Sequence, residues 1–433
     1  MYLERIEIQN IRSIQNAVWD NGFSSPAGAG WHVILGDNGS GKSSFIRAVA
    51  LALVGPSEAK ALRQDWNEWL RRDQQRGSVR LTMSRDRQYD HYSGPGAPPN
   101  DLLDAGLMLA RRTNDAVTLT NTKTRPNPEN FIWADRGGWF SASYGPFRRF
   151  SGGNKDFEKM FYSNPRLAPH LSAFGEDVAL TESIQWLQDL KFKELEAQHS
   201  VESRYLLRLT AFINQGGFLP HRTFLKSVSS TGVVFIDGNG CEIAVEELSD
   251  GYRSILSMTF ELIRQMLKAY PDHNIFSGDC TKVKVPGVVL IDEVDAHLHP
   301  SWQRQIGLWF REHFPNIQFI VTTHSPFVCQ AADVGTVYRL PRPGSREKAG
   351  MVTGADLDRL LFGNVLDAYS TDLFGEGATR SEEAKKRQLR LAELNMAELM
   401  RDLKETERAE LESLRSALPT AAHSLPVGAN GAK

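Results

Sequence analysis

The segment Gly36-Asp-Asn-Gly-Ser-Gly-Lys-Ser43 packs three glycines, a lysine and two serines into eight residues. Glycines let successive backbone N–H groups turn toward one anion with no Cβ in the way, and a lysine adds a mobile point charge. The spacing is G-x-x-x-x-G-K-[ST], a phosphate loop when it joins a strand to a helix. Gly36, Asn38, Gly39, Ser40, Gly41, Lys42, Ser43 and Ser44 are therefore the candidate nucleotide contacts. Lys42 is the group for the β- and γ-phosphates, and the Ser43 hydroxyl is a hard-oxygen ligand for Mg²⁺. Much later, Val288-Val-Leu-Ile-Asp-Glu293 ends an apolar run in two acids. Adjacent carboxylates at the end of a buried strand are costly unless they face a cation or water. Asp292 becomes the second Mg²⁺ candidate, and Glu293 the residue that polarises an attacking water. His324, in Phe319-Ile-Val-Thr-Thr-His-Ser-Pro326, also follows an apolar run. Taken alone, a histidine there is more often structural.

Holding these groups requires strands and helices at set places. Leu3, Ile6, Ile8 and Ile11 alternate as a strand, and Trp31–Leu35 is a second one that stops at Gly36. Ser43–Val54 carries Ile46, Val49, Ala50 and Leu53 on one helical face and stops at Gly55-Pro56. Short β-type runs follow at Ser78–Met83, Leu107–Ala110 and Val117–Thr120, with a turn-rich loop at Ser93–Pro99. Glu182–Leu209 reads as one or two amphipathic helices, too short for long coiled-coil arms. Phe224–Val228 and Gly232–Ile236 read as strands, and Asp237-Gly-Asn-Gly240 as a hairpin turn. Gly251–Lys268 and Trp302–Phe314 read as helices, and Val288–Ile291 and Ile317–Val321 as fully buried strands of a parallel sheet. Ser381–Leu418 reads as a charged helical hairpin that closes the domain or meets a partner. The expected organisation is 1–56, 57–150 (β-rich insertion), 151–222 (helical), 223–340 (second chemical lobe), 341–418 (helical) and 419–433 (disordered tail).

The net charge of −2 over 433 residues excludes a polycation, so any nucleic-acid contact must be a local patch. Between residues 57 and 90, eight basic residues from Lys60 to Arg87 alternate with six acids from Glu58 to Asp90. A solvated mixed face and a DNA-facing patch both fit that composition. Cys241, Cys280 and Cys329 are widely spaced, which gives neither a disulfide framework nor a zinc site. No leader peptide and no apolar stretch near ~18 residues is visible, so a cytoplasmic protein with no membrane contact is expected.

Leu248-Ser-Asp-Gly-Tyr-Arg253, at the start of a helix, resembles the L-S-G-G-Q signature of ABC-class ATPases. The order of phosphate loop, signature, acid pair and histidine, preceded by Asn10-Ile-Arg-Ser13, resembles the RecF, SMC and OLD branch of that class. Asp292-Glu-Val-Asp-Ala-His-Leu-His-Pro-Ser-Trp-Gln303 and Phe314–Pro326 look like the PtuA-type ATPases of Septu and retron anti-phage systems. The resemblance implies an α/β fold of the ABC-ATPase head type, with a central parallel sheet, an antiparallel β subdomain and a helical subdomain. It implies ATP and Mg²⁺, with Arg12, Ser249 and Gly251 added to the nucleotide contacts. Glu293, Lys42 and His324 would be the catalytic set, with His324 the switch histidine and Asp295 on the loop that crosses a dimer interface. A homodimer or higher oligomer follows, with a separately encoded nuclease of HNH type as partner and DNA as a further one. Asp250 and Tyr252 depart from the signature's glycine and glutamine. Trp139–Arg149 stands where transporters carry a conserved-loop glutamine and has none; Tyr144, Arg148 or Arg149 would contact nucleotide there, or pack. His297 and His299 have metal-like spacing, but in similar proteins this run begins a helix. The rival readings are a RecF-like DNA-repair ATPase without a nuclease partner, a transporter ATPase, and a chain with its own nuclease centre at Asp356-Leu-Asp358 and Glu376-Gly377.

Overall fold

The computed structural model describes residues 1–22, 28–90, 101–113, 115–124, 126–133, 139–148, 163–175, 181–197, 201–216, 218–369, 371, 373–374 and 382–417. The expectations at Ser93–Pro99, Arg149, Glu376-Gly377, Leu418 and 419–433 lie outside them. The chain divides into two units, Met1–Ala368 and Tyr369–Lys433.

The strands of the first unit are β1 (Tyr2–Ile11), β2 (Ile14–Asp20), β3 (Gly30–Leu35), β4 (Arg76–Ser84), β5 (Leu102–Arg111), β6 (Val117–Asn121), β7 (Ser141–Tyr144), β8 (Phe224–Ser229), β9 (Gly232–Ile236), β10 (Glu242–Ala244), β11 (Gly287–Ile291), β12 (Ile317–Thr323), β13 (Gly335–Arg339) and β14 (Gly350–Met351). Its longer helices are α1 (Lys42–Val54), α2 (Thr181–Glu196), α3 (Val201–Ile213), α4 (Asp250–Ala269) and α5 (Pro300–His313). A six-stranded sheet runs β14-β13-β3-β12-β11-β7, parallel except for the antiparallel edge strand β14. A second, antiparallel sheet runs β2-β1-β4-β5-β6, and β10-β9-β8 form a small third one.

The β3, β11 and β12 strands are buried along their whole length, as their unbroken apolar runs require. The α1 helix shares one core with both larger sheets: Phe45, Ile46, Val49 and Leu53 join Ile6, Ile8, Val79, Leu81 and Leu107 on the antiparallel side and Ile34, Leu290 and Ile320 on the parallel side. A helix apolar nearly all round suits a place between two layers. On the opposite side of the parallel sheet, Trp31 and Phe319 meet Phe310 of α5. Parallel strands give the motifs a common edge. Register pairs Leu35 with Thr323 across β3 and β12, and Ile291 with Val321 and Tyr144 across β11. The loops after β3, β7, β11 and β12 therefore leave from the same carboxyl-terminal edge, where ligands of open α/β sheets bind.

The expected β-rich block 57–150 is divided in the structure. Strands β4 to β6 extend the sheet begun by β1, whereas β7 joins the parallel sheet beside β11. Both β2 and β7 escaped the sequence reading, β7 because four residues carry no usable periodicity. The Glu182–Leu209 stretch resolves into two helices. The block 341–418 also divides: β14 pairs with β13 in the first unit. In the second unit, α6 (Glu382–Met400) and α7 (Glu405–Ala417) form a hairpin around Leu391, Leu394, Leu403 and Leu411, flanked by the Arg390–Glu410 and Arg415–Glu398 ion pairs.

Two histidines make this core acid-sensitive. His32 of β3 bonds Thr336 Oγ1 at 3.0 Å, and the ring of His170 bonds Ser141 and Ser143 of β7 at 3.0 and 2.9 Å. Burial lowers their pKa values to about 4 and about 3. The unfolded chain takes up these protons near pH 6.5 and the folded chain does not, so stability is full above that pH and falls as pH drops toward 4. The loss at pH 4 is on the order of 3 kcal/mol per histidine. His170→Gln removes one titrating group, so its melting temperature should decline less steeply between pH 7 and 4 than the parent's; equal slopes would refute this assignment.

Candidate functional site

The phosphate loop turns through Gly39 and Gly41, at φ 79° and 102°, in the left-handed region. A Cβ on Gly41 would sit 2.6 Å from Ser13 Oγ, so the loop presses against the turn between β1 and β2. Asn38 and Gly39 form the exposed tip; Ser43 and Ser44 are half-buried at the first turn of α1. That turn offers unpaired N–H groups to an anion. The Lys42 ammonium donates to the carbonyls of Gly36 and Asp37 at 2.7 and 3.0 Å, which holds it within the loop. Its pKa is lowered by burial and pulled back up by Glu293, Asp292, Asp37 and Asp295. The loop lysine and the acids after β11 thus act on one another, though 250 residues of sequence separate Lys42 from Asp292.

Strand β12 supplies the groups that aim those acids. Thr322 Oγ1 donates to Asp292 Oδ1 at 2.6 Å and accepts from the Glu293 N–H at 2.7 Å. Thr323 Oγ1 donates to Asp295 Oδ1 at 2.6 Å. Glu293 has φ 47°, a conformation that costs a non-glycine residue roughly 1–2 kcal/mol and persists only where its neighbours enforce it. His324 is half-buried in the same field: burial and then Lys42 lower its pKa, opposed by Asp295, Glu293 and Asp37. It is therefore neutral at pH 7, able to donate a proton from one ring nitrogen and accept on the other.

At the start of α4, Ser249 is the N-cap, and its side chain makes no capping bond. Asp250 forms an ion pair with Arg253 on the same turn, which neutralises the carboxylate that replaces the signature glycine. A Cβ on Gly251 would lie 2.9 Å from the His297 carbonyl, so the signature packs directly on the loop after β11. The Tyr252 ring faces Trp302 at 6.4 Å, and its hydroxyl accepts from Thr223 at 3.4 Å. Ser249, Gly251 and Tyr252, with His221, Arg222 and His299, line a cavity of about 980 Å³. No residue of the phosphate loop lines it.

Arg12 stacks its guanidinium 4.4 Å over the ring of Trp69, next to the Ser13 that touches Gly41. Arg148 is buried and donates to backbone carbonyls at the acid turn, so it packs beneath the site; Tyr144 is also buried. His299 caps α5, accepting from the Ser301 N–H, which is the helix-start role. Sequence reasoning missed Thr322 and Thr323, and also Arg342, which pairs with Asp37 of the phosphate loop at 3.2 Å. The threonine pair in Val-Thr-Thr-His was a visible signal, since hydroxyls at a strand end next to a charged turn need partners.

The residues fit a magnesium nucleotide. Ser40 Oγ is a buried hydroxyl without a partner inside the loop. The Ser43 hydroxyl and Asp292 carboxylate are hard oxygen donors. No group of three or more His, Cys, Asp or Glu side chains forms a self-sufficient metal site among the described residues. Mg²⁺ needs none, because phosphate and water complete its shell.

The chain is similar to known proteins over most of its length. A family model described as "AAA domain, putative AbiEii toxin, Type IV TA system" matches residues 110–330, just over half of the chain, and a second AAA-domain model matches 5–130. The Septu protein PtuA of Bacillus mycoides (strain KBAB4) is 26% identical over 379 residues, covering 86% of this chain and 45% of its own length. The Retron Ec83 probable ATPase of Escherichia coli is 32% identical over 210 residues, covering 45% of this chain and 37% of its own. The chain thus spans less than half the length of these relatives. Among solved structures, an SMC head bound to the C-winged helix domain of ScpA has a TM-score of 0.48 at 16% identity, covering 82% of this chain and 99% of that one. A structure of the recombination mediator protein RecF-ATPrS of the RecFOR pathway has a TM-score of 0.41 at 11% identity, covering 81% of this chain and 98% of that one. The chain belongs to this AAA-domain family and is similar to the PtuA protein of Septu systems and to the probable ATPases of retrons.

Proposed function

We propose that this protein hydrolyses ATP between two copies of itself and uses the cycle to control a separately encoded nuclease in anti-phage defence. The observation that carries the dimer is the separation within one chain of two anion-binding elements. The phosphate loop lies with the acids and His324, whereas the signature lines a cavity to which no loop residue contributes. Both elements serve one ATP if the signature of a second copy covers it.

In this reading the loop N–H groups and Lys42 hold the β- and γ-phosphates, and Ser249 with the start of α4 of the facing copy closes over the γ-phosphate. Ser43 and Asp292 would hold Mg²⁺, which would supply neutralising charge to the phosphate oxygens. The Glu293 carboxylate orients water for in-line attack, and neutral His324 contacts the departing phosphate. Loss of that phosphate removes what joins the two copies, and the assembly reopens.

Likeness to PtuA and to retron ATPases supports the defence role, and a nuclease of HNH type is the partner proposed with it. Co-expression with the products of neighbouring genes, then co-elution in ATP and in ADP, tests it. A nuclease that co-elutes and whose cleavage rate depends on the nucleotide supports the proposal. A chain that elutes alone and holds DNA only with ATP overturns it in favour of a RecF-like role. That second reading has one observation behind it: Arg12, Arg71, Arg72 and Arg111 line a cavity of about 630 Å³, although Glu68, Asp73 and Asp115 share its wall.

A further inference from the structure

Arg148 joins the two anion-binding elements inside one chain. It leaves β7 four residues after Tyr144 and is 5% exposed. Nε donates to Ser254 Oγ of α4 at 2.9 Å. Nη1 donates to the carbonyls of Gly145 and Asp292 at 3.2 and 3.0 Å, and Nη2 to the carbonyl of Glu293 at 3.0 Å. Among the described residues no carboxylate lies within ion-pair distance. The planar fork is spent on fixing backbone and one hydroxyl, a geometry that lysine cannot reproduce. Burial lowers its pKa to about 10, with Asp292, Asp295 and Glu293 opposing, so the guanidinium remains charged at neutral pH.

Both ends of this bridge matter to the reaction. At one end, Glu293 sits in the left-handed region at φ 47°, and its carbonyl is held by Arg148 while its N–H is held by Thr322. At the other end, Ser254 is buried one helical turn past the signature residues Ser249 to Gly251. A hydrogen bond of 2.9 Å fails when it lengthens by much more than ~0.5 Å. A sub-ångström shift of α4 along or about its axis is therefore enough to make or break the Arg148–Ser254 contact, and a charge left buried with fewer partners must rearrange.

We propose that Arg148 is a positioning residue that reads the seat of the signature helix through Ser254 and fixes the backbone of Glu293 accordingly. Hydrolysis at one phosphate loop then depends on where the signature helix of the same chain sits, and the two sites of a dimer are coupled through each subunit's own core. The inference rests on the reading of Glu293 as the water-orienting group.

The test uses the full chain with ATP and Mg²⁺, in five variants: Ser254→Ala, Ser254→Thr, Arg148→Lys, the Arg148→Lys/Ser254→Ala double variant, and Glu293→Gln. ATP affinity, KM and kcat are read separately, with melting curves to establish folding. Ser254→Ala should bind ATP within about twofold of the parent while kcat falls about tenfold, as expected for one charge-assisted bond. Ser254→Thr, which keeps the hydroxyl, should recover most of that rate. Arg148→Lys should lose on the order of 100-fold in kcat, and adding Ser254→Ala to it should cost nothing more, because both act through one contact. A merely structural role would lower affinity and melting temperature without this split. If Ser254→Ala turns over at the parent rate, or the two substitutions multiply, the coupling is refuted whether or not Arg148→Lys folds. If Glu293→Gln itself hydrolyses ATP normally, the underlying reading fails instead and takes the coupling with it.

Discussion

Glu293→Gln should reduce the rate of ATP hydrolysis by about 10²–10⁴-fold, the usual contribution of a positioned general base, and leave ATP bound. The amide keeps the size of the carboxylate but can neither attract a proton from water nor accept one. The loop glycines and the start of α1 belong to a different segment, and Lys42 keeps its bonds to the Gly36 and Asp37 carbonyls while it loses only the attraction of the Glu293 charge. The backbone at this position is held from both sides, by Arg148 on the carbonyl and Thr322 on the N–H, so the strained turn survives the exchange. The substituted protein should accumulate in an ATP-bound, two-copy state. Light scattering with ATP and Mg²⁺ should show a dimer that persists, where the parent protein returns to its starting mass as ATP is consumed. Phosphate release at the parent rate would remove Glu293 from the mechanism. Loss of both ATP binding and hydrolysis would mean that the carboxylate serves the ground state, not the attack.

The parts that were legible in sequence are those whose physics is local. The phosphate loop shows itself because glycines, lysine and serine must be consecutive to wrap one anion. Strands β3, β11 and β12 show themselves because burial on both faces demands unbroken apolar runs. The start of α4 was found for the same reason, as a signature beside a helix whose apolar residues repeat every three or four positions. Long-range partnerships were not legible. Arg148 lies 144 residues before Asp292 and 106 before Ser254, and nothing in its immediate neighbours predicts an arginine that bonds carbonyls instead of nucleotide. Thr322 and Thr323 signal in sequence only that two hydroxyls need partners; that these are Asp292 and Asp295 shows once β12 is laid beside β11 in register. Asp250 appeared to oppose a phosphate at the signature; only the helical turn that brings Arg253 onto it cancels its charge. The β-rich stretch was found but not divided correctly. Whether a strand joins one sheet or another depends on its neighbours in space, and β7 owes its place to β11.

Lys42→Ala should weaken ATP binding by about 10²–10⁴-fold, since the ammonium makes charge-assisted bonds to two phosphates worth roughly 1.5–3 kcal/mol each. The structure adds a second consequence. In the structure the same ammonium is bonded to the Gly36 and Asp37 carbonyls and lies in the field of Glu293, Asp292 and Asp295. Removing it takes one cation from the field of those acids and leaves the loop without its internal tie, so part of the lost affinity would come from a looser loop. Lys42→Met separates the two effects. It keeps an unbranched chain of similar length to fill the space, but has no charge and no donor. If the ammonium's bonds to phosphate dominate, the alanine and methionine variants lose the same affinity, measured by fluorescence titration with a nucleotide analogue. If loop collapse dominates, methionine retains more of it and also melts at a higher temperature without nucleotide. Undiminished ATP binding in both would mean that the phosphates lie elsewhere, and the assignment of Gly36 to Ser44 as the nucleotide cradle would have to be withdrawn.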